Sequence, residues 1–157
     1  MKKIIFFLVV VLFFCSCDKG DGVLEQGSLS VSNHTFSGCL DDKNIVKSSV
    51  ASIPHIVTLE AEGNRLKLFR TGRFTCAAQI EIVVSNEGNT ITIDEENRDA
   101  SSYCYCYAEY SSQIDGMKDG EYIICIMPVQ THGYYKPFTF KFEEGEKKTI
   151  ELEFIPY

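Results

Sequence analysis

The stretch CAAQIEIVV, residues 76–84, indicates the fold class of this chain. Its even positions, from Cys76 to Val84, are all apolar, whereas Gln79 and Glu81 are polar and lie between them. Successive side chains of a β-strand point to opposite faces. This period of two therefore predicts a strand with one face in a core and the other in water.

The same alternation recurs in five further segments. Their members on the apolar parity are Ile53, His55, Val57 and Leu59; Leu66 and Leu68; Ile91 and Ile93; Phe138, Phe140 and Phe142; and Ile150, Leu152 and Phe154. Turn-forming residues at 63–64, 86–89 and 144–146 separate several of these segments and fit hairpin connections. Short strands at this spacing predict an all-β fold, an antiparallel β-sandwich of about eight to nine strands.

Segment 121–127 is apolar on both parities, which is typical of a strand in the centre of a sheet. The turn at 114–121 followed by Tyr122 resembles the entry to a late strand in immunoglobulin-like and related sandwiches. Immunoglobulin domains place a cysteine two residues after that tyrosine, but Cys125 lies three residues after it, and the chain has no tryptophan. The resemblance implies sandwich architecture and not immunoglobulin identity.

The first sixteen residues have the layout of a secretory signal peptide. A basic start precedes an unbroken apolar run, residues 4–14, which is shorter than the roughly 20 residues of a membrane-spanning helix. Residues 14–17 resemble the lipobox of bacterial lipoproteins that signal peptidase II cuts. The resemblance implies removal of residues 1–16 and attachment of fatty acids such as palmitate to Cys17. Lipidation of Cys15 and an ordinary secreted protein are the alternatives.

The mature chain divides into a tether and one domain. Residues 17–28 are polar and contain glycine, which predicts a flexible lipid-anchored tether, and residues 29–157 have the size of a single domain. Acidic residues directly after Cys17 resemble the surface-export signal of gut-type Gram-negative anaerobes. This implies attachment to the outer membrane and display at the cell surface.

Composition limits the partners. Without residues 1–16 the chain carries 13 basic and 22 acidic side chains, a formal balance of −9. Phosphate backbones would repel such a chain, so nucleic acid is a poor candidate partner. The whole chain resembles small cysteine-containing β-sandwich lipoproteins of the same anaerobes, which have no assigned activity.

Five cysteines lie beyond the tether: Cys39, Cys76, Cys104, Cys106 and Cys125. An exported domain can keep disulfides, and an odd number leaves one thiol unpaired. Cys104 and Cys106 share one face of a strand, a poor geometry for bridging each other. With Cys125 free and buried in the central strand, the pairing is Cys39–Cys104 with Cys76–Cys106, or the crossed pairing. A zinc site at the same four cysteines is the alternative, and the alternative function is a metal-binding or thiol-active exported protein that uses Cys104 and Cys106.

Two groups of tyrosines are candidate binding surfaces. Tyr103, Tyr105 and Tyr107 form an outward row that could stack on sugar rings, and Tyr134 and Tyr135 lie in a predicted loop at 132–138. The competing interpretation is that both groups are packed and structural. The predicted partner is thus a glycan or an envelope protein, in addition to the membrane that holds the anchor.

No catalytic or cofactor motif is present in the sequence. The histidines His34, His55 and His132 are far apart, and His55 is predicted to be a satisfied core histidine. The acidic run 94–99 lacks the spacing of a calcium loop and is predicted to be a solvated turn. We therefore predict a non-enzymatic protein with no cofactor, no catalytic residue and no resident metal.

Overall fold

The computed structural model describes residues 28–40, 54–76, 78–98, 105–129 and 132–157. Strands make up 73% of these residues. No helix long and apolar enough to cross a membrane occurs in these ranges. The signal peptide, the proposed lipid site Cys17, and both Tyr103 and Cys104 lie outside the described residues.

The described ranges contain eleven strands. In chain order they are β1 (Ser30–Cys39), β2 (Ile56–Glu62), β3 (Arg65–Thr75), β4 (Ile80–Glu87), β5 (Thr90–Asn97), β6 (Tyr105–Asp115), β7 (Gly120–Met127), β8 (Gly133–Tyr135), β9 (Phe138–Phe142), β10 (Lys147–Glu151) and β11 (Phe154–Pro156).

These strands form a β-sandwich, which confirms the predicted fold class. One sheet has the order β1-β6-β3-β2-β10, the opposing sheet has the order β4-β5-β7-β9, and β8 pairs with β11 in a third, small sheet. The strand number exceeds the predicted eight to nine. Two differences contribute, because the segment from Ile150 to Phe154 divides into β10 and β11, and because Gly133–Tyr135 is a strand instead of part of a loop.

The alternation of the sequence produces the core. The predicted inward residues that are almost fully buried are Val57, Leu59, Leu66, Leu68, Ile91, Ile93, Phe140 and Phe142. Removing such side chains from water contributes about 1.5–3 kcal/mol each and is the main force that holds the two sheets together. Phe154 departs from the prediction and stays 41% exposed, since β11 belongs to the small third sheet.

The predicted central strand, β7, lies between β5 and β9. Its entry has the geometry of a tyrosine corner, in which the Tyr122 hydroxyl donates a hydrogen bond to the Lys118 carbonyl at 2.8 Å. The β5–β7 pair is parallel, so this sheet is mixed and not purely antiparallel. The reason is the connection: the chain crosses to the opposing sheet as β6 before it returns as β7.

Candidate functional site

Two opposite charges lie inside the sandwich. Arg70 continues the inward parity of Leu66 and Leu68 on β3, and Glu95 continues that of Ile93 on β5. The Arg70 Nε donates to the Glu95 Oε1 at 3.1 Å, and the two side chains are only 1% and 2% exposed. An unpaired charge at this depth would cost several kcal/mol, roughly 3–5 when one partner is removed. Because β3 and β5 belong to different sheets, the pair joins the two large sheets.

Two tyrosines extend this pair into a network. Tyr110 on β6 donates its hydroxyl to Glu95 Oε1 at 2.9 Å, and the Val129 backbone N–H also donates to Glu95. Arg70 Nη2 donates to the Tyr135 hydroxyl at 2.9 Å. Burial raises the pKa of Tyr135 to about 12 and also raises the pKa of Glu95. Strands from all three sheets thus meet at one set of hydrogen bonds.

His55, just before β2, completes the network. Its Nδ1 accepts hydrogen bonds from Arg70 Nη2 at 3.1 Å and from the Tyr135 hydroxyl at 2.9 Å. Since both neighbours donate, Nδ1 carries no proton and the ring proton is on Nε2. Burial, and then the positive charges of Arg70 and Arg73, lower the pKa of His55 to about 4. At neutral pH the ring is an uncharged Nε2–H donor.

The Nε2–H of His55 has no acceptor among the described residues. The prediction of a satisfied core histidine therefore describes Nδ1 and not the whole ring. Gly72 on β3 makes room for this ring. A Cβ at that position would lie 2.6 Å from His55 Nδ1 and 2.7 Å from Arg70 Nη1.

A cavity of about 370 Å³ opens over this network, and His55, Arg70, Glu95 and Tyr135 all line it. It lies at the edge of β3, where pairing with β2 stops at Thr71 while pairing with β6 continues to Thr75. This volume falls within the roughly 300–1,000 Å³ typical of small-molecule pockets.

The remaining walls combine apolar surface with one exposed charge. Phe74, Ile80, Val129 and Phe154 supply apolar surface to the cavity, and the Arg73 guanidinium lies 4.1 Å from the centre of the Tyr105 ring. No carboxylate in the described ranges forms an ion pair with Arg73.

Four of the five tyrosines predicted as binding surfaces lie in the described ranges. Tyr105 and Tyr107 lie on the outward face of β6, opposite the buried Cys106, and Tyr105 is 48% exposed. Tyr134 is partly buried, with its ring centre 5.7 Å from that of Tyr157.

For Tyr135, the predicted loop is wrong, and the residue is packed as in the competing interpretation. Pairing of β8 with β11 holds this residue in a strand, and its ring is buried against the network and against Phe154. The solvated turn predicted at 94–99 is wrong in the same way. Residues 94–97 belong to β5, and Arg70 makes burial of the Glu95 carboxylate tolerable.

The cysteines form a cluster at the end of the five-stranded sheet. Cys39 and Cys106 are bonded, as in the crossed pairing, and Cys76 is disulfide-bonded as well. The sulfurs of these three residues lie within 4.8 Å of one another. Cys125 is free but only partly buried, because Ile124 and Ile126 take the inward parity of β7 and leave Cys125 on the outer face.

The other two histidines are not members of this hydrogen-bond network, although the His34 ring centre lies 5.8 Å from that of Tyr110. His34 bonds to the Ser112 hydroxyl and to the Ile80 carbonyl, both at 2.7 Å, and therefore holds β1 in place. His132 is exposed.

Arg70 and Glu95, which the sequence analysis did not single out, carry a recognisable signal. Each continues the apolar parity of its strand, and their charges are opposite. A charged residue at an inward position needs a buried partner, so two such positions of opposite sign indicate one another.

The chain matches no protein-family model, and comparison with curated proteins and with solved structures finds no similar protein.

Proposed function

We propose that this protein is an exported, lipid-anchored binding module whose ligand occupies the cavity over Arg70 and Glu95. The observation that carries the proposal is the cavity floor. It is a set of hydrogen bonds that joins three sheets and leaves the His55 Nε2–H without a described acceptor, and both His55 and the exposed Arg73 line the cavity. Convergent polar groups among apolar walls are typical of small-molecule sites.

The ligand site should be tested by filling the cavity. Val129 lines the cavity, whereas Val83 is 45% exposed on the outer face of β4. We expect Val129→Trp to abolish binding of any ligand found in a panel of monosaccharides, sugar acids and small aromatic acids. Val83→Trp makes the same change elsewhere and should leave binding unaltered. Equal binding by both variants would place the ligand outside the cavity.

The anchor is supported by the signal-like sequence 1–16 and by Cys17. We propose that the fatty acids hold the domain firmly to the outer membrane, since two or three chains bind far more firmly than one. We also propose that the domain faces outward. Cys17→Ser should release the protein from the membrane fraction and remove the acyl mass from its N-terminus. If the variant stays in the membrane fraction and keeps the acyl mass, lipidation at Cys17 is refuted.

The proposed activity is binding without catalysis. Within the described lining, Glu95 is fully enclosed by its three donors and Thr75 is the one aliphatic hydroxyl. The partner we expect is a glycan or another envelope component, and no role for nucleic acid is proposed.

A metal-binding or thiol-active function is the second candidate, and the close approach of the three sulfurs favours it. Sulfurs of Cys39 and Cys106 cannot act as thiolate ligands while they are bonded to each other. We propose that Cys76 pairs with Cys104, the cysteine that the other assignments leave over. Peptide mapping without reduction should find both bridges. Five free thiols with one zinc per chain would instead support the metal site.

A further inference from the structure

We propose that the cavity takes a small carboxylate carried on a single ring, with the carboxylate bound by Arg73 and the His55 Nε2–H. This inference rests on the proposed function and names the ligand class of the same site. Three features of the cavity carry it: its charge, its hydrogen-bonding groups and its size.

The charge of the cavity is positive in an otherwise acidic protein. The charges of Arg70 and Glu95 balance each other, so Arg73 contributes the unbalanced charge of the lining. The whole chain carries 22 acidic and 15 basic side chains. A local positive charge on such a surface attracts anions into the cavity and disfavours cationic ligands.

Arg73 is held in a position suited to a carboxylate. Its guanidinium lies over the Tyr105 ring at 4.1 Å, which leaves the N–H groups at the edge of the guanidinium plane free for other partners. A guanidinium presents these donors as a planar fork that matches the two oxygens of a carboxylate.

The other hydrogen-bonding groups strengthen this preference. His55 offers only a donor, because its Nδ1 already accepts two hydrogen bonds. Glu95 is enclosed by Arg70, Tyr110 and Val129. The polar part of the cavity thus offers donors more than acceptors, and an anionic oxygen satisfies them.

Size and wall chemistry limit the rest of the ligand. A cavity of about 370 Å³ is near the lower end of the roughly 300–1,000 Å³ range of ligand pockets, so it suits one ring better than an oligomer. Phe74, Ile80 and Phe154 supply apolar walls, against which either an aromatic ring or the apolar face of a sugar ring can pack. Acidic sugars and aromatic acids share this chemistry.

Calorimetric titration of the full chain in a zwitterionic detergent tests the inference. The probes are glucuronate, galacturonate and benzoate, each with its neutral counterpart glucose, galactose or benzyl alcohol. We expect at least one acid to bind ten-fold or more tightly than its counterpart. Whether the sugar acids or benzoate bind more tightly then identifies the kind of molecule that carries the carboxylate.

Matched arginine variants locate the charge that matters. Arg73→Gln should weaken binding of the acid ten-fold or more. Arg65→Gln, which changes a half-exposed arginine paired with Asp115 far from the cavity, should not. Both variants alter exposed side chains, and unchanged urea midpoints would verify that they fold.

Two results would overturn the inference. One is an acid that binds no better than its neutral counterpart or that binds Arg73→Gln as tightly as wild type. If that binding is still lost in Val129→Trp, the cavity remains a ligand site and only the carboxylate assignment fails. The other is the absence of binding by all three acids. If a different ligand from the broader panel then binds wild type but not Val129→Trp, the proposed function is preserved and only the inference fails.

Discussion

Removing one partner of the Arg70–Glu95 pair tests the structural basis of the site. Glu95→Leu leaves the Arg70 guanidinium 1% exposed with neutral partners only. A guanidinium does not give up its proton in a protein, so the charge stays buried. We expect the free energy of unfolding to fall by about 3–5 kcal/mol.

The partner change, Arg70→Met, should behave differently with pH. Burial already raises the pKa of Glu95, and loss of Arg70 would raise it further. A carboxyl whose folded pKa exceeds its unfolded value is tolerated when protonated and penalised as pH rises through the folded pKa. The cost of Arg70→Met should therefore be smaller at pH 5 than at pH 8, whereas the cost of Glu95→Leu, relative to wild type, should change much less.

The double variant Arg70→Met with Glu95→Leu should recover most of the loss, because no buried charge remains. It would still deprive the Tyr110 hydroxyl of its Glu95 acceptor, whereas the Tyr135 hydroxyl and His55 Nδ1 lose Arg70 but keep each other. An unsatisfied buried polar group costs about 1–3 kcal/mol, so the double variant should stay slightly below wild type.

Urea unfolding of the four proteins, with disulfides intact, gives the coupling free energy of this cycle. Single variants that cost less than about 1 kcal/mol would show that the pair is not buried as described. A double variant that loses the full sum of the single effects would show that the two charges do not interact. Either result would refute the proposed cavity floor.

Three further predictions follow from the same contacts. Gly72→Ala should cost about 1–3 kcal/mol by overpacking against His55 and Arg70, and a loss below about 0.5 kcal/mol in urea would contradict the close approach. Because the folded pKa of His55, about 4, is below its ordinary 6.5, the folded state binds fewer protons between these values, and stability should fall as pH drops through them. After allowance for solvent screening this fall is about 1–2 kcal/mol, and a His55→Gln variant with the same pH slope would contradict it. Cys39→Ser should lower stability by about 2–4 kcal/mol and expose the Cys106 thiol to reagent in denaturant; an unchanged thiol count would disprove the bridge.

The sequence predicts the core well because parity is a local property. Leu66, Leu68, Ile91 and Ile93 occupy alternate positions, and all four are buried. The side-chain period of a strand fixes this outcome wherever one face packs against the opposing sheet. The same parity argument excludes a bridge between Cys104 and Cys106 and leaves two possible pairings. One of these pairings contains the observed Cys39–Cys106 bridge.

The candidate site depends on contacts between distant residues, which local patterns do not show. Glu95 lies in an acidic run whose composition is typical of a solvated turn, and its neutralising partner Arg70 is on the opposing sheet. Tyr135 lies between glycine and proline and so resembles a loop residue, but pairing with β11 gives it a strand conformation. Inward parity of both Arg70 and Glu95 is the signal that would have indicated the network.

Strand partners also depend on the path of the chain. The parallel β5–β7 pair arises because β6 crosses to the other sheet. No local feature of residues 90–97 or 120–127 distinguishes parallel from antiparallel neighbours. Hydrophobic alternation therefore gives the faces of the strands without giving their order.

Chemical-shift mapping of backbone amides during titration with the tightest of the carboxylate probes tests the central claim most directly. We predict the largest changes at residues 73–75 and at His55, Tyr105 and Tyr135, all of which line the cavity. Changes confined to residues outside the cavity lining, such as Phe69 and Val83, would contradict a ligand site over the Arg70–Glu95 pair.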